Sequence, residues 1–165
     1  MFGRRFESAH LHEKRVIAIA MTLFCKIFSI FVVSMEKMVW DPLRKKEVAL
    51  TPEEEVRQWF IGVLEHQMGV PQHMMRSEVA FTFGSSKKKY RADILVFGKD
   101  TSPVAVVECK NADTELNSAV LEQALRYNQA MGAPWIMITN GKQTFIAHKG
   151  QFIDKVPSYD DLCSN

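Results

Sequence analysis

Two short apolar runs carry acidic groups where a buried strand has no use for them. They are Tyr90-Arg-Ala-Asp-Ile-Leu-Val-Phe97 and Pro103-Val-Ala-Val-Val-Glu-Cys-Lys110, with Asp93 standing fifteen residues before Glu108. Both are rich in strand formers. Side chains alternate along a strand, so Glu108 and Lys110 project from one face and Val107 and Cys109 from the other. A buried carboxylate is costly unless it is paired or bound to a metal.

Two carboxylates and a lysine at the ends of adjacent strands make a hard-oxygen site suited to Mg²⁺, with an ammonium beside it. Mg²⁺ keeps several waters, so Asp93 and Glu108 can hold it while leaving positions for a phosphate oxygen and a nucleophilic water. Lys110 then orients the water or stabilises developing negative charge, and partial desolvation can lower its pKa. Phosphodiester cleavage fits such a group. The alternative is a strand pair whose Asp and Glu form salt bridges with Arg91 and Lys110.

A second pattern follows. Thr114 to Met131 is expected to be a helix, with Thr114 as N-cap, Gly132 and Pro134 as stop signals, and Leu121, Ala124 and Leu125 as its core stripe. Gln123 and Tyr127 are four apart and share one helix face. Strand Asp, strand Glu-x-Lys, then Gln-x-x-x-Tyr resembles the PD-(D/E)xK nuclease superfamily in its RecB-like branch.

The earlier segments sharpen the resemblance. Thr51-Pro-Glu-Glu-Glu-Val-Arg-Gln-Trp-Phe-Ile-Gly-Val-Leu64, Gly69-Val-Pro71, Arg76-Ser-Glu78 and Lys89-Tyr-Arg-Ala-Asp93 look like the nuclease domain at the N-terminus of type I restriction enzyme R subunits. They also resemble the free-standing proteins built from that domain alone. The likeness runs from about Val48 to Ser158. Ala92 departs from the proline of the superfamily name, and Cys109 fills the variable position between Glu108 and Lys110. The family implies a Mg²⁺-dependent cut in DNA, with Mn²⁺ as a substitute. It implies that Asp93, Glu108 and Lys110 carry the cut and that Gln123 and Tyr127 line the site. A further glutamate often completes the metal site in this superfamily. Glu53, Glu54, Glu55 and Glu78 all stand open, Glu78 being preferred because Arg76-Ser-Glu78 matches the family pattern, although it can also pair with Arg91.

The element order reads as helix 52–67, strands 78–83, 89–97 and 103–109, helix 114–131, strand 135–139 and a hairpin from Gln143 to Ile153 about Lys149-Gly150. Asn140-Gly141 makes the turn into it. This is an α/β chain with a restriction-endonuclease-like mixed sheet flanked by helices. On the first helix, Val56, Trp59, Phe60, Val63 and Leu64 are expected to face the core, with Glu53 beside them.

At 165 residues the chain is short for a nuclease joined to an ATP-driven motor, and no Gly-x-x-x-x-Gly-Lys-Ser/Thr phosphate loop occurs. A homodimer, or helicase and specificity subunits supplied by other chains, are therefore expected partners besides DNA. A catalytically silent DNA-binding or scaffold subunit is the alternative, and loss of Asp93, Glu108 or Lys110 would have signalled it. Three cysteines without metal-type spacing suit a reducing cytoplasm and argue against zinc.

Val16 to Val33 is an 18-residue apolar stretch broken by Thr22, Lys26 and Ser29, behind Arg4, Arg5, Lys14 and Arg15. It reads as a start called too early, with translation beginning at Met35 or Met38, as a membrane or signal segment, or as a packed helix. The first is favoured, because a DNA-cutting domain needs no membrane. Residues 1–35 are thus set apart from a nuclease domain at 36–165. They hold five Lys/Arg and two Asp/Glu, or +3, so the remainder of a +2 chain is −1. A near-neutral core needs a local basic patch for DNA. Lys87, Lys88, Lys89 and Arg91, beside a turn at Gly84-Ser-Ser86, are the candidates.

Overall fold

The computed structural model describes residues 21–23, 26, 37–83, 88–117, 120, 122 and 132–164, with the backbone alone at 81–83 and 88–90. The chain divides into two units, Met1–Lys37 and Met38–Asn165. In the first, Met21–Leu23 and Lys26 are helical; most of the apolar stretch lies outside the described residues. Among the described residues no helix is long and apolar enough to cross a membrane.

The second unit opens with a hairpin, β1 (Met38–Asp41) and β2 (Lys46–Ala49), forming its own two-stranded sheet. Sequence reading did not foresee it. Helix α1 (Pro52–His66) follows, begun by the Thr51 hydroxyl, which accepts from the Glu54 N–H. Pro52 at the first turn and Glu53, Glu54 and Glu55 against the helix dipole all favour a start here.

A six-stranded mixed sheet takes the order β3-β4-β5-β6-β7-β8. Its strands are Met75–Phe83, Lys88–Phe97, Pro103–Cys109, Trp135–Thr139, Thr144–His148 and Gln151–Phe152. Only β5 and β6 run parallel, with Ala105 opposite Trp135 and Cys109 opposite Thr139. Every residue of β6 is buried, as a central parallel strand covered on both faces requires. The expected strands and closing hairpin are present, with Asn140-Gly141 as the turn into β7 and Gly141 at φ 83°.

One face of the sheet packs Ile94, Val96, Ala105, Val107 and Met137 against Val56, Phe60 and Leu64 of α1. Burying each such α1 side chain contributes roughly 1.5–3 kcal/mol. The short C-terminal helix α2 (Tyr159–Cys163), also unforeseen, adds Tyr159 and Leu162 to that core. Trp59 is a correction: it is 47% exposed, because the buried stripe runs through Glu54, Arg57, Ile61 and Leu64 instead. On the other face, Leu116 and Val120 pack on Ile136 and Ile138.

Thr114 is a second correction. Thr114–Asn117 are not helical, and helical backbone is described at Val120 and Glu122. The Asn117 Oδ1 accepts from the Val120 N–H at 3.2 Å, a capping contact three residues later than expected. The Thr114 carbonyl instead accepts from the buried Asn140 side chain at 2.9 Å.

Candidate active site

The β3–β4 ladder is interrupted at one place. Ser77 pairs with Ile94 and Val79 with Ala92, but no pairing joins Glu78 to Asp93 between them. Glu78 holds φ at 55°, a left-handed conformation unusual for a residue with a side chain. On β4 the alternation also slips, since Ala92 packs with Leu95 and Val106 on one face and Ile94 in the α1-facing core. Asp93 sits at the slip.

The β4–β5 ladder ends at the same level, its last pair being Ile94 with Val107. Beyond that pair, the Cys109 N–H donates to Asp93 Oδ2 at 2.8 Å. The carboxylate thus satisfies a backbone donor that an ideal ladder would satisfy with a carbonyl. Its other oxygen, Oδ1, accepts from Arg57 Nη2 of α1 at 2.6 Å.

Glu108 and Lys110 meet as the alternation foretold, with Lys110 Nζ 2.7 Å from Glu108 Oε1. The Lys110 N–H donates to the Thr139 carbonyl at 2.8 Å, so β6 fixes where the lysine leaves the sheet. Burial, then the neighbouring Asp93 charge, push the Glu108 carboxyl above its ordinary value, and Lys110 only partly offsets them. Lys110 itself is raised, not lowered as expected. Desolvation acts to lower it, but the hydrogen bond and charge of Glu108, with Asp93 and Glu53, outweigh that. Lys110 therefore stays an ammonium.

The two shifts describe one electrostatic condition. Asp93, Glu108 and Glu53 act on the same small volume, where Lys110 pairs with Glu108 and Arg57 with Asp93, so three carboxylates face two cations. That condition fits a bound cation: two carboxylates from neighbouring strands offer hard oxygens, and the excess negative charge favours a divalent ion. Among the described residues no three His, Cys, Asp or Glu side chains converge into a ready-made cage. A Mg²⁺ held by two carboxylates and waters needs no such cage.

Among the open glutamates, Glu53 is the one whose charge reaches Glu108 and Lys110. Glu54 is buried and accepts from Arg44 at 2.6 Å, Arg57 at 2.5 Å and Gln58 at 2.8 Å. Glu55 is exposed. Glu78 lies 3.1 Å from Arg57, 3.4 Å from Arg44 and 3.3 Å from Arg91. Arg91 thus pairs with Glu78, while Asp93 takes Arg57. Gln123, Tyr127 and Lys87 lie outside the described residues, as do the side chains of Lys88 and Lys89.

Sequence reading missed Arg57 and Arg44. Arg57 falls on the stripe with Ile61 and Leu64, so a charged residue on a buried face was the available signal. Arg44, in the β1–β2 turn, also pairs with the buried Asp41, whose Oδ1 accepts from the Leu43 and Arg44 N–H groups at 2.7 and 2.8 Å. Nothing local in the sequence marks that turn as part of the site.

The family model described as Type I restriction enzyme R protein N terminus matches residues 52–157. The chain belongs to this family. Among solved structures it is similar to a fragment of a candidate HsdR subunit of a type I restriction enzyme from Vibrio vulnificus YJ016. The two are 25% identical, with a TM-score of 0.54, over 68% of this chain and 24% of that one. The chain therefore spans about a quarter of that relative's length. A candidate nuclease of the DUF820 group from Anabaena variabilis also matches, at 16% identity and a TM-score of 0.45, over 79% of this chain and 91% of that one. No match was found among curated protein sequences.

Proposed function

We propose that this R-subunit-type domain is a Mg²⁺-dependent DNA endonuclease. The observation that carries the reading is the meeting of Asp93, Glu108 and Lys110 at the interrupted edge of β4 and β5. Asp93 and Glu108 would hold the ion. When bound, it would lower the pKa of a coordinated water and neutralise charge on the phosphate.

The remaining work falls to the protein's own side chains. Asp93 is held through both oxygens, so it presents its remaining lone pairs in one orientation. Lys110, kept charged by its acidic neighbours, sits where it can bind a phosphate oxygen and stabilise growing negative charge. Glu108 shares Lys110 and so ties the ammonium to the same small volume. Glu78 stays on the arginines beside the site, a third carboxylate that a metal could draw on. Gln123 and Tyr127 would line the site, as the resemblance implies, and Lys87, Lys88 and Lys89 would contact the DNA backbone.

DNA is the partner this reading needs. A motor or specificity chain, or a second copy, is a further proposed partner, since the related R-subunit fragment is far longer than the matching region. The test is incubation of supercoiled plasmid with the full chain in Mg²⁺, Mn²⁺ or EDTA. The reading expects nicked or linear product in either metal and none in EDTA. Intact plasmid under all three conditions would overturn it.

A further inference from the structure

We propose that Arg57 is a positioning residue of the nuclease site, fixing the Asp93 carboxylate while its charge limits how tightly a divalent cation is held there. The proposal rests on the nuclease reading. Arg57 is buried, and its guanidinium is divided among three carboxylates on three elements. Nη1 lies 2.5 Å from Glu54 of α1 and 3.1 Å from Glu78 of β3, and Nη2 lies 2.6 Å from Asp93 of β4.

The fork matters more than the charge. Asp93 is gripped at Oδ1 by Arg57 and at Oδ2 by the Cys109 N–H, so the plane of the carboxylate is set by contacts from opposite sides. A lysine would supply a point charge without that planar geometry. Glu54, which steadies Arg57, is itself held by Arg44 and Gln58. Arg57 Nε is buried with no hydrogen-bond partner. An unmet buried donor costs about 1–3 kcal/mol. Here the side chain accepts that loss and brings both terminal nitrogens onto carboxylates.

The same guanidinium lies against a carboxylate that would ligate Mg²⁺, and two cations repel. Arg57 therefore improves the geometry of Asp93 and weakens cation binding at once. A merely structural residue would move affinity and rate in the same direction when lost. A positioning residue of this kind moves them in opposite directions.

The experiment compares the native full chain with Arg57→Gln and Arg57→Lys. Mn²⁺ binding is read without DNA from the free-ion electron paramagnetic resonance signal, and plasmid nicking is read at saturating Mg²⁺. Arg57→Gln is expected to bind Mn²⁺ roughly tenfold more tightly and to nick at least ~30-fold more slowly. Arg57→Lys is expected to return Mn²⁺ affinity to the native value and only part of the rate. If Arg57→Gln loses its fold, Glu54→Gln with Arg57→Gln gives the same readouts, because a carboxylate leaves together with the arginine. Weaker Mn²⁺ binding alongside a slower rate, or a native rate at saturating metal, would overturn the proposal. Should the native chain bind Mn²⁺ but leave plasmid intact, the nuclease reading fails separately. Arg57 is then judged on the Mn²⁺ titration alone: tighter binding in Arg57→Gln supports it, and unchanged or weaker binding overturns it.

Discussion

The Asp93 carboxylate accepts the backbone N–H of Cys109 at 2.8 Å, just beyond the last paired residues of β4 and β5. A side chain thus does what a strand carbonyl normally does, and in doing so it is held beside Glu108. The arrangement also decides which substitutions are informative. Asp93→Ala removes the acceptor of a backbone donor and the partner of the buried Arg57, and breaking a buried pair costs about 3–5 kcal/mol. Asp93→Asn keeps an acceptor for one of the two donors, sets its amide NH2 against the other, and removes the charge without emptying the space.

Glu108 is expected to strain the metal-free fold. Burial and the Asp93 charge raise its carboxyl in the folded state, so folding favours the protonated form. The unfolded chain ionises first as pH rises, and stability is lost as pH climbs from the ordinary carboxylate value through the raised folded one. Glu108→Gln does not ionise. In EDTA at pH 7 it is expected to melt a few degrees above the native chain, with the gain vanishing below about pH 4. Calorimetric melting at the two pH values checks this, and an equal or lower melting temperature at pH 7 would contradict it.

Lys110 is an ammonium rather than a base, because Glu108, Asp93 and Glu53 all favour its charge. Lys110→Ala is expected to slow plasmid nicking by at least ~100-fold while Mn²⁺ affinity is kept or raised. Normal cutting by this variant would reduce Lys110 to an ion-pair partner of Glu108.

How far the sequence foretold the site can be judged from these residues. Strand alternation was enough to bring Glu108 to Lys110, because the β5–β6 pairing is regular to Cys109 and the Lys110 N–H still bonds to Thr139. It was not enough for Asp93, whose neighbours Ala92 and Ile94 face opposite sides of the sheet. That slip is stabilised by Arg57, which lies 36 positions away. The helical stripe was legible through Val56, Phe60 and Leu64. Trp59 was misplaced because hydrophobicity was read and the buried Glu54–Arg57 pair was not. The β1–β2 hairpin is four residues per strand with exposed Met38 and Trp40, too short for a clear alternating pattern. Thr114, expected as the cap, instead has its carbonyl held by the Asn140 side chain, a tertiary contact over 26 positions that no local pattern displays.

For the helix bearing Gln123 and Tyr127, the family resemblance supplies the expectation. Neither residue carries a charge that Mg²⁺ binding needs. Gln123→Ala is expected to slow nicking by roughly tenfold or more with Mn²⁺ affinity unchanged. Tyr127→Phe is expected to do less, and mainly to weaken DNA binding in a filter or anisotropy assay. Loss of Mn²⁺ binding in Gln123→Ala would show that the residue supports the metal site and does not merely line it.

The most direct test of a two-carboxylate nuclease site is plasmid nicking in Mg²⁺ by the full native chain beside Asp93→Asn, with both shown by circular dichroism to be folded. The native chain is expected to convert supercoiled plasmid to nicked and linear forms, and Asp93→Asn to be slower by at least ~100-fold. Equal cutting by Asp93→Asn, or by the native chain after EDTA, would contradict the account.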